Sequence, residues 1–219
     1  MFLQLRSLFS TIMDSFKSTV QRNSLVIKAT TLAFFIILSV SVIVAILVFS
    51  FAPELSDQII DFTQTALNFG DIPPPFTESF FSYIFLNNSG HFWNPIRMIV
   101  WVPLLGPLLL GLEILLNSGV IGVIAVMVGI NKGISYTLMG LVPHGIIEIP
   151  AFLLQFSSMV LWQVTITEAI IAKLKGRTLD KDKVKLGLRD TLILAATSIM
   201  LLLIAAAIET YVTPYLIGK

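Results

Sequence analysis

Long apolar runs, separated by short polar stretches, dominate the chain. The first run is uncharged and covers residues 29–51, and four more follow at 95–116, 119–139, 143–172 and 191–212. About 20 apolar residues suffice for a helix to cross a hydrocarbon layer of roughly 30 Å. The pattern therefore predicts an all-α, polytopic transmembrane helix bundle with about five spans.

Two segments beside the first span have an amphipathic pattern. Residues 1–28 repeat apolar side chains at helical spacing among basic ones, which predicts an interfacial helix at the inner membrane surface or a helix packed on the protein itself. The loop 52–80 predicts a second short helix from its apolar positions Ile59, Ile60, Phe62, Ala66 and Phe69. We expect a surface segment, 1–28, followed by a transmembrane domain, 29–219.

Helix-breaking residues divide the middle of the chain. Residues 81–94 predict an interfacial or half-inserted element, and Pro103 and Pro107 interrupt the second span. The sequence Asn117-Ser118-Gly119 predicts a tight turn between the second and third spans. Farther along, Pro150 cannot donate to the carbonyl of Ile146, so that carbonyl is left free to bind another group.

Composition supports a membrane location and excludes several other classes. Hydrophobic residues make up 56% of the chain and charged residues 12%, and the mean hydropathy is +0.90. Soluble domains average about 25% charged residues, so this chain lacks the polar surface of a soluble globule. The absence of cysteine excludes disulfides and thiol chemistry. A net charge of +1 gives no reason to expect a nucleic-acid partner.

The distribution of basic residues predicts an orientation in the membrane. Segment 1–28 holds four Lys and Arg residues and segment 173–190 holds seven, whereas loop 52–80 holds none. Basic residues are enriched in cytoplasmic loops. We therefore expect a multi-pass protein of the cell membrane, with a cytoplasmic N-terminus and with loop 52–80 and the C-terminus outside.

The sharpest polar motif is PHGIIEIP, residues 143–150. His144 and Glu148 are four residues apart, which places them on one face of a helix, and Gln155 falls near the same stripe. Pro143 suits the first position of a helix. Turn or packing roles are expected for Asn117, Gly119, Pro143, Gly145 and Pro150.

Three roles for His144 and Glu148 remain open. They form a structural lock between helices, they ligate a divalent metal together with residues from other helices, or they act in acid–base chemistry. An ionisable group at the centre of a membrane costs roughly 3 kcal/mol or more, so some role is required. The helix count allows six residues to meet in one polar layer near the outer face: Asn87, Asn88, His91, His144, Glu148 and Glu209. Gln155 is a further candidate for this cluster because of its position on the His144 stripe. Glu113 is expected near the inner side, where it either snorkels towards the membrane surface or pairs with Arg189 or Lys132.

The block PHGIIEIPA, residues 143–151, resembles the signature of the stage II sporulation protein M family. Weaker matches follow the same order along residues 80–214: Asn87-Asn88, Asn117 with Gly119, Leu188-Arg189-Asp190, Ile208-Glu209-Thr210 and Thr213-Pro214. The chain departs from the family pattern at residues 90–95, GHFWNP, where a helix usually continues. This departure argues against a continuous second helix.

The resemblance implies a multi-spanning membrane protein without established catalytic residues. In spore formers the family member is implicated in engulfment, in a complex with cell-wall hydrolases, and relatives occur in organisms that make no spores. We therefore expect a non-enzymatic scaffold or subunit that contacts lipid and either a protein partner or a second copy. The alternatives are an ion or small-solute permease and an intramembrane metal-dependent enzyme.

Overall fold

A computed structural model describes residues 2–66 and 72–218 of the chain, so Phe69 and Asp71 lie outside the described residues. The described part is helical and contains no strand, which confirms the all-α prediction. Its helices are α1 Phe2–Arg22, α2 Ser24–Phe51, α3 Pro53–Ala66, α4 Glu78–Asn88, α5 Gly106–Lys132, α6 Ile134–Leu174, α7 Lys181–Tyr211 and α8 Thr213–Leu216. Two 3-10 turns, Gly90–Phe92 and Arg97–Trp101, lie between α4 and α5.

Four of the described helices, rather than five, are long and apolar enough to cross a membrane: α2, α5, α6 and α7. The predicted turn at residues 117–119 is wrong, because α5 continues through it. The Asn117 amide donates to the Glu113 carbonyl at 2.8 Å, and the Ser118 hydroxyl donates to the Ile114 carbonyl at 2.6 Å. Both polar side chains are thus satisfied within the helix and do not compete with it.

The predicted helix start at Pro143 is also wrong, since α6 begins at Ile134. The break between α5 and α6 falls at Gly133, where φ is +88°. Glycine adopts such a backbone without strain, whereas other residues rarely do. Pro143 and Pro150 both lie inside α6, which is 41 residues long and continues past both of them.

In addition to the four long helices, a broken segment, residues 78–105, passes through the described part of the bundle. Just before it, the backbone N–H of Phe76 donates to the Thr210 carbonyl at the end of α7. Farther along, the Asn88 carbonyl accepts a bond from Gln155 in α6, and the Trp101 ring lies 5.9 Å from that of Trp162. Since these contacts advance along α6 towards its C-terminal end, residues 78–105 pass from one end of the bundle to the other without forming a continuous helix.

The two ends of the bundle differ in charge. At one end, the buried Asp190 of α7 accepts hydrogen bonds from Thr19, Arg22 and Asn23 at the α1–α2 junction, at 2.6–3.0 Å. We call this the basic end, because segment 173–190 also lies there. We call the opposite end, where α3 follows α2 and α8 follows α7, the acidic end.

The helices meet around a core of large apolar side chains and approach one another at glycines. Phe34 of α2, Leu110 of α5, Phe156 of α6 and Leu202 of α7 are buried there. Lipid is as apolar as these side chains, so close van der Waals packing rather than escape from water favours their contact. Small residues at the contacts permit that packing.

We predict that Gly106→Ala destabilises the bundle. An added Cβ would overlap the side-chain amide of Gln163 and the backbone carbonyl of Val100, and the carbonyl cannot shift without moving the chain itself. Overpacking of this kind typically costs about 1–3 kcal/mol. The matched control is Gly111→Ala on the same helix, where nothing lies within 4 Å of the added atom. Thermal unfolding in detergent should show a lower Tm for the first variant only; equal Tm values would contradict the packing described.

Candidate functional site

A polar layer joins four helices near the acidic end. The two carboxylate oxygens of Glu148 in α6 face different partners: Oε1 accepts a hydrogen bond from the Asn88 amide of α4, and Oε2 lies 3.7 Å from His144 Nε2. His144 Nδ1 lies 3.2 Å from the hydroxyl of Thr213 in α8. The four-residue spacing of His144 and Glu148 therefore places both side chains in one layer, as the motif predicted.

Glu209 of α7 completes a cluster of three ionisable side chains. Ligand atoms of His144, Glu148 and Glu209 all lie within 4.8 Å of one another. We call these three residues the His–Glu–Glu cluster. His144 is buried, and the two glutamates are half-buried. The expected convergence of α6 and α7 in one layer thus occurs through these three side chains.

Gln155 lies beneath this cluster on the same helix. Its amide nitrogen donates to the backbone carbonyl of Asn88 at 3.4 Å, which places the amide group beside the residue that bonds Glu148. The side chain is fully buried, and its carbonyl oxygen has no hydrogen-bond partner in the described residues. A buried polar atom without a partner is costly and therefore points to a missing contact.

The proline and glycine residues predicted to have turn or packing roles make fewer defined contacts. Pro143 and Pro150 lie within the helix and cannot donate backbone hydrogen bonds. Gly145 also lies inside α6, with open space where a Cβ would stand. Gly119 does lie at a helix contact, where a Cβ would be 3.5 Å from the Ser41 hydroxyl.

His91 does not belong to the polar layer and forms a second cluster deeper in the bundle. Its Nε2 atom lies 3.1 Å from Glu113 Oε2, and the Arg97 guanidinium lies 3.2 Å from the same ring nitrogen and 3.6 Å from the carboxylate. Arg97 also donates to the backbone carbonyl of Asn87 at 2.7 Å. Asn87 thus contributes its carbonyl here, and its side chain makes only a 3.5 Å contact with Asn88.

The prediction that Glu113 pairs with Arg189 or Lys132 is wrong. It assumed a straight second helix that ends near Glu113, whereas α5 begins at Gly106 and the broken segment brings His91 and Arg97 beside it. A signal was present in the sequence, because Arg97 is the single Lys or Arg between residues 29 and 131. A lone cation inside a membrane requires a nearby carboxylate.

The two clusters differ in what they can do chemically. In the second cluster, Glu113 contacts a guanidinium, an imidazole and the Asn117 amide at 3.2 Å, so its charge is matched within the protein. In the His–Glu–Glu cluster, two carboxylates share one imidazole. Imidazole nitrogen and carboxylate oxygen are ligands for divalent transition metals, so His144, Glu148 and Glu209 are the residues suited to hold such an ion.

Comparison with known proteins bears on most of these residues. The model of the family described as Stage II sporulation protein M matches residues 30–214. The match includes the broken segment and both ionisable clusters. No curated protein and no solved structure matches the chain.

We predict that Glu148→Ala destabilises the bundle and that Glu168→Ala on the same helix does not. The first change leaves the Asn88 amide without its acceptor, and such a loss costs about 1–3 kcal/mol. The second removes an exposed ion pair with Lys183, which typically contributes about 0–1 kcal/mol. Thermal unfolding of both variants in detergent measures the difference. Equal Tm values would show that the hydrogen bond from Asn88 to Glu148 does not stabilise the packing of α4 on α6.

Proposed function

The chain belongs to the stage II sporulation protein M family, and from that premise we propose that it acts as a non-enzymatic scaffold or subunit of a membrane complex. The family and the four apolar helices make it a membrane protein. The polar interior would then serve to hold an irregular bundle in one shape, and that shape would be what a partner recognises.

The observation that carries this proposal is the way interior carboxylates connect segments that are distant in the chain. Glu148 of α6 accepts from Asn88 of α4, and Asp190 of α7 accepts from the α1–α2 junction. Glu113 of α5 contacts His91 and Arg97 of the broken segment. Each of these carboxylates is engaged by other parts of the protein, which favours a structural use over binding and turnover of a substrate.

We infer that the basic end faces the cytoplasm. Segment 173–190 and Arg22 lie at that end, whereas the described part of α3 at the opposite end carries Glu54, Asp57 and Asp61 and no basic residue. Retention of basic residues in the cytoplasm favours this orientation. The His–Glu–Glu cluster then lies towards the outer face, where an extracytoplasmic partner would contact the protein.

The scaffold proposal predicts that the protein is part of a larger complex in its native membrane. Extraction of native membranes into polymer-bounded lipid discs, followed by native mass spectrometry, should give a particle heavier than one 24.2 kDa chain, with fixed stoichiometry. A single chain as the dominant species would contradict the proposal. So would hydrolysis of lipid or peptide by the purified protein if Glu148→Gln abolished that activity.

The broken passage favours a permease as the second candidate. Asn88, His91 and Arg97 lie on a discontinuous segment inside the bundle, and transporters often bind ions at interrupted helices. If the protein is a permease, liposomes containing wild-type protein should conduct protons or divalent cations faster than liposomes containing His144→Ala. Stopped-flow measurement with an entrapped fluorescent indicator makes the comparison. Equal rates at matched protein density would count against the permease.

A further inference from the structure

We propose that His144, Glu148 and Glu209 form a binding site for a divalent first-row transition-metal cation. Their ligand atoms lie within 4.8 Å of one another, and His144 Nε2 is 3.7 Å from Glu148 Oε2. Ligands of a tetrahedral zinc ion, at about 2.0–2.1 Å from the metal, are roughly 3.3 Å apart. Small rotations of the two glutamate side chains are therefore enough to bring all three onto one ion.

The charge of the cluster calls for a cation. Glu148 and Glu209 come from neighbouring helices in the part of the bundle that crosses the membrane. Arg97 and Arg22 are engaged by Glu113 and Asp190, so neither neutralises this site. Two carboxylates held this close repel each other unless a proton or a cation lies between them. A divalent ion would offset both charges.

The orientation of His144 is that of a metal ligand. Its Nδ1 atom is held by the Thr213 hydroxyl at 3.2 Å, and its Nε2 atom faces Glu148 at a distance too long for a hydrogen bond. The side chain is 7% exposed, so water does not supply the missing partner freely. Metal-binding histidines usually have the second ring nitrogen fixed in this way.

Neighbouring amides provide a second, independent indication. Asn88 bonds Glu148 directly and fixes the carboxylate, which is the usual task of groups around a metal site. Gln155, fully buried and bonded to the Asn88 carbonyl, presents a carbonyl oxygen without a partner in the described residues. A fixed carboxylate and a buried amide oxygen without a partner in the described part of the chain thus accompany the cluster on the same helix.

The ligand set selects the class of metal. One imidazole with two carboxylates suits zinc, manganese, iron or cobalt, whereas magnesium and calcium prefer oxygen ligands alone. Since this site would add a bound ion to the fold, it goes beyond the scaffold role, and neither depends on the other.

Cobalt titration tests the proposal directly. Tag-free protein in detergent, stripped with a chelator, should bind one Co²⁺ per chain with visible d–d absorption, and Zn²⁺ should displace it. Zn²⁺ should also raise the Tm of the wild-type protein. Folded wild-type protein that shows neither a visible band nor a Tm shift at stoichiometric metal would overturn the proposal.

Three variants assign the site. Glu209→Gln should abolish the cobalt band, and it is suited to the test because Glu209 has no hydrogen bond or ion pair elsewhere in the described residues, so the apo fold should persist. Asn88→Ala should weaken binding about 10–100-fold. Glu168→Gln, a carboxylate of α6 outside the cluster whose ion pair with Lys183 is exposed, should bind cobalt as the wild type does. Unchanged binding in Glu209→Gln, or equal loss in Glu168→Gln, would overturn the assignment.

Discussion

Hydrogen-bond satisfaction within lipid is the constraint on which this fold depends. A continuous helix satisfies its own backbone, but residues 78–105 cross the bundle without one, so other segments must supply their partners. Trp162 donates to the Trp101 carbonyl at 2.7 Å, and Gln163 donates to the carbonyls of Val100 and Val102. The polar side chains of α6 are placed where the broken segment needs them, which explains why a membrane helix retains so many of them.

The same constraint separates what could be predicted from the sequence from what could not. Apolar runs identified the C-terminal ends of α2 and α7 to within one residue, although these helices begin earlier, at Ser24 and Lys181, because each forms a continuous helix with its own hydrogen bonds. The His144–Glu148 spacing placed both residues on one face of a helix, because helical periodicity survives the two prolines of α6. These features depend on local pattern alone, and local pattern is what a single sequence contains.

The prolines and the GHFWNP sequence predicted a break in the second span, but the course of the broken segment could not be predicted, because its partners are distant in the chain. The polar triplet at residues 117–119 predicted a turn, whereas the Asn117 amide bonds the preceding turn of α5. His91 was assigned to the wrong cluster for a similar reason: its partner, Glu113, is brought close by a change of direction that no periodic pattern encodes. Isolated polar residues such as Arg97 and Gln163 indicate that such a segment is present. The sequence does not show which residues they contact.

The Asp190 network has a consequence for how the protein is made. Its donors, Thr19, Arg22 and Asn23, leave the ribosome about 170 residues before Asp190 does. Asn88 likewise precedes its acceptor Glu148 by 60 residues. Until those carboxylates are translated, these groups lack their acceptors, so the early segments must wait in water, in the insertion machinery or against lipid headgroups. Membrane insertion of the broken segment is therefore completed late, after α6 and α7 have been translated.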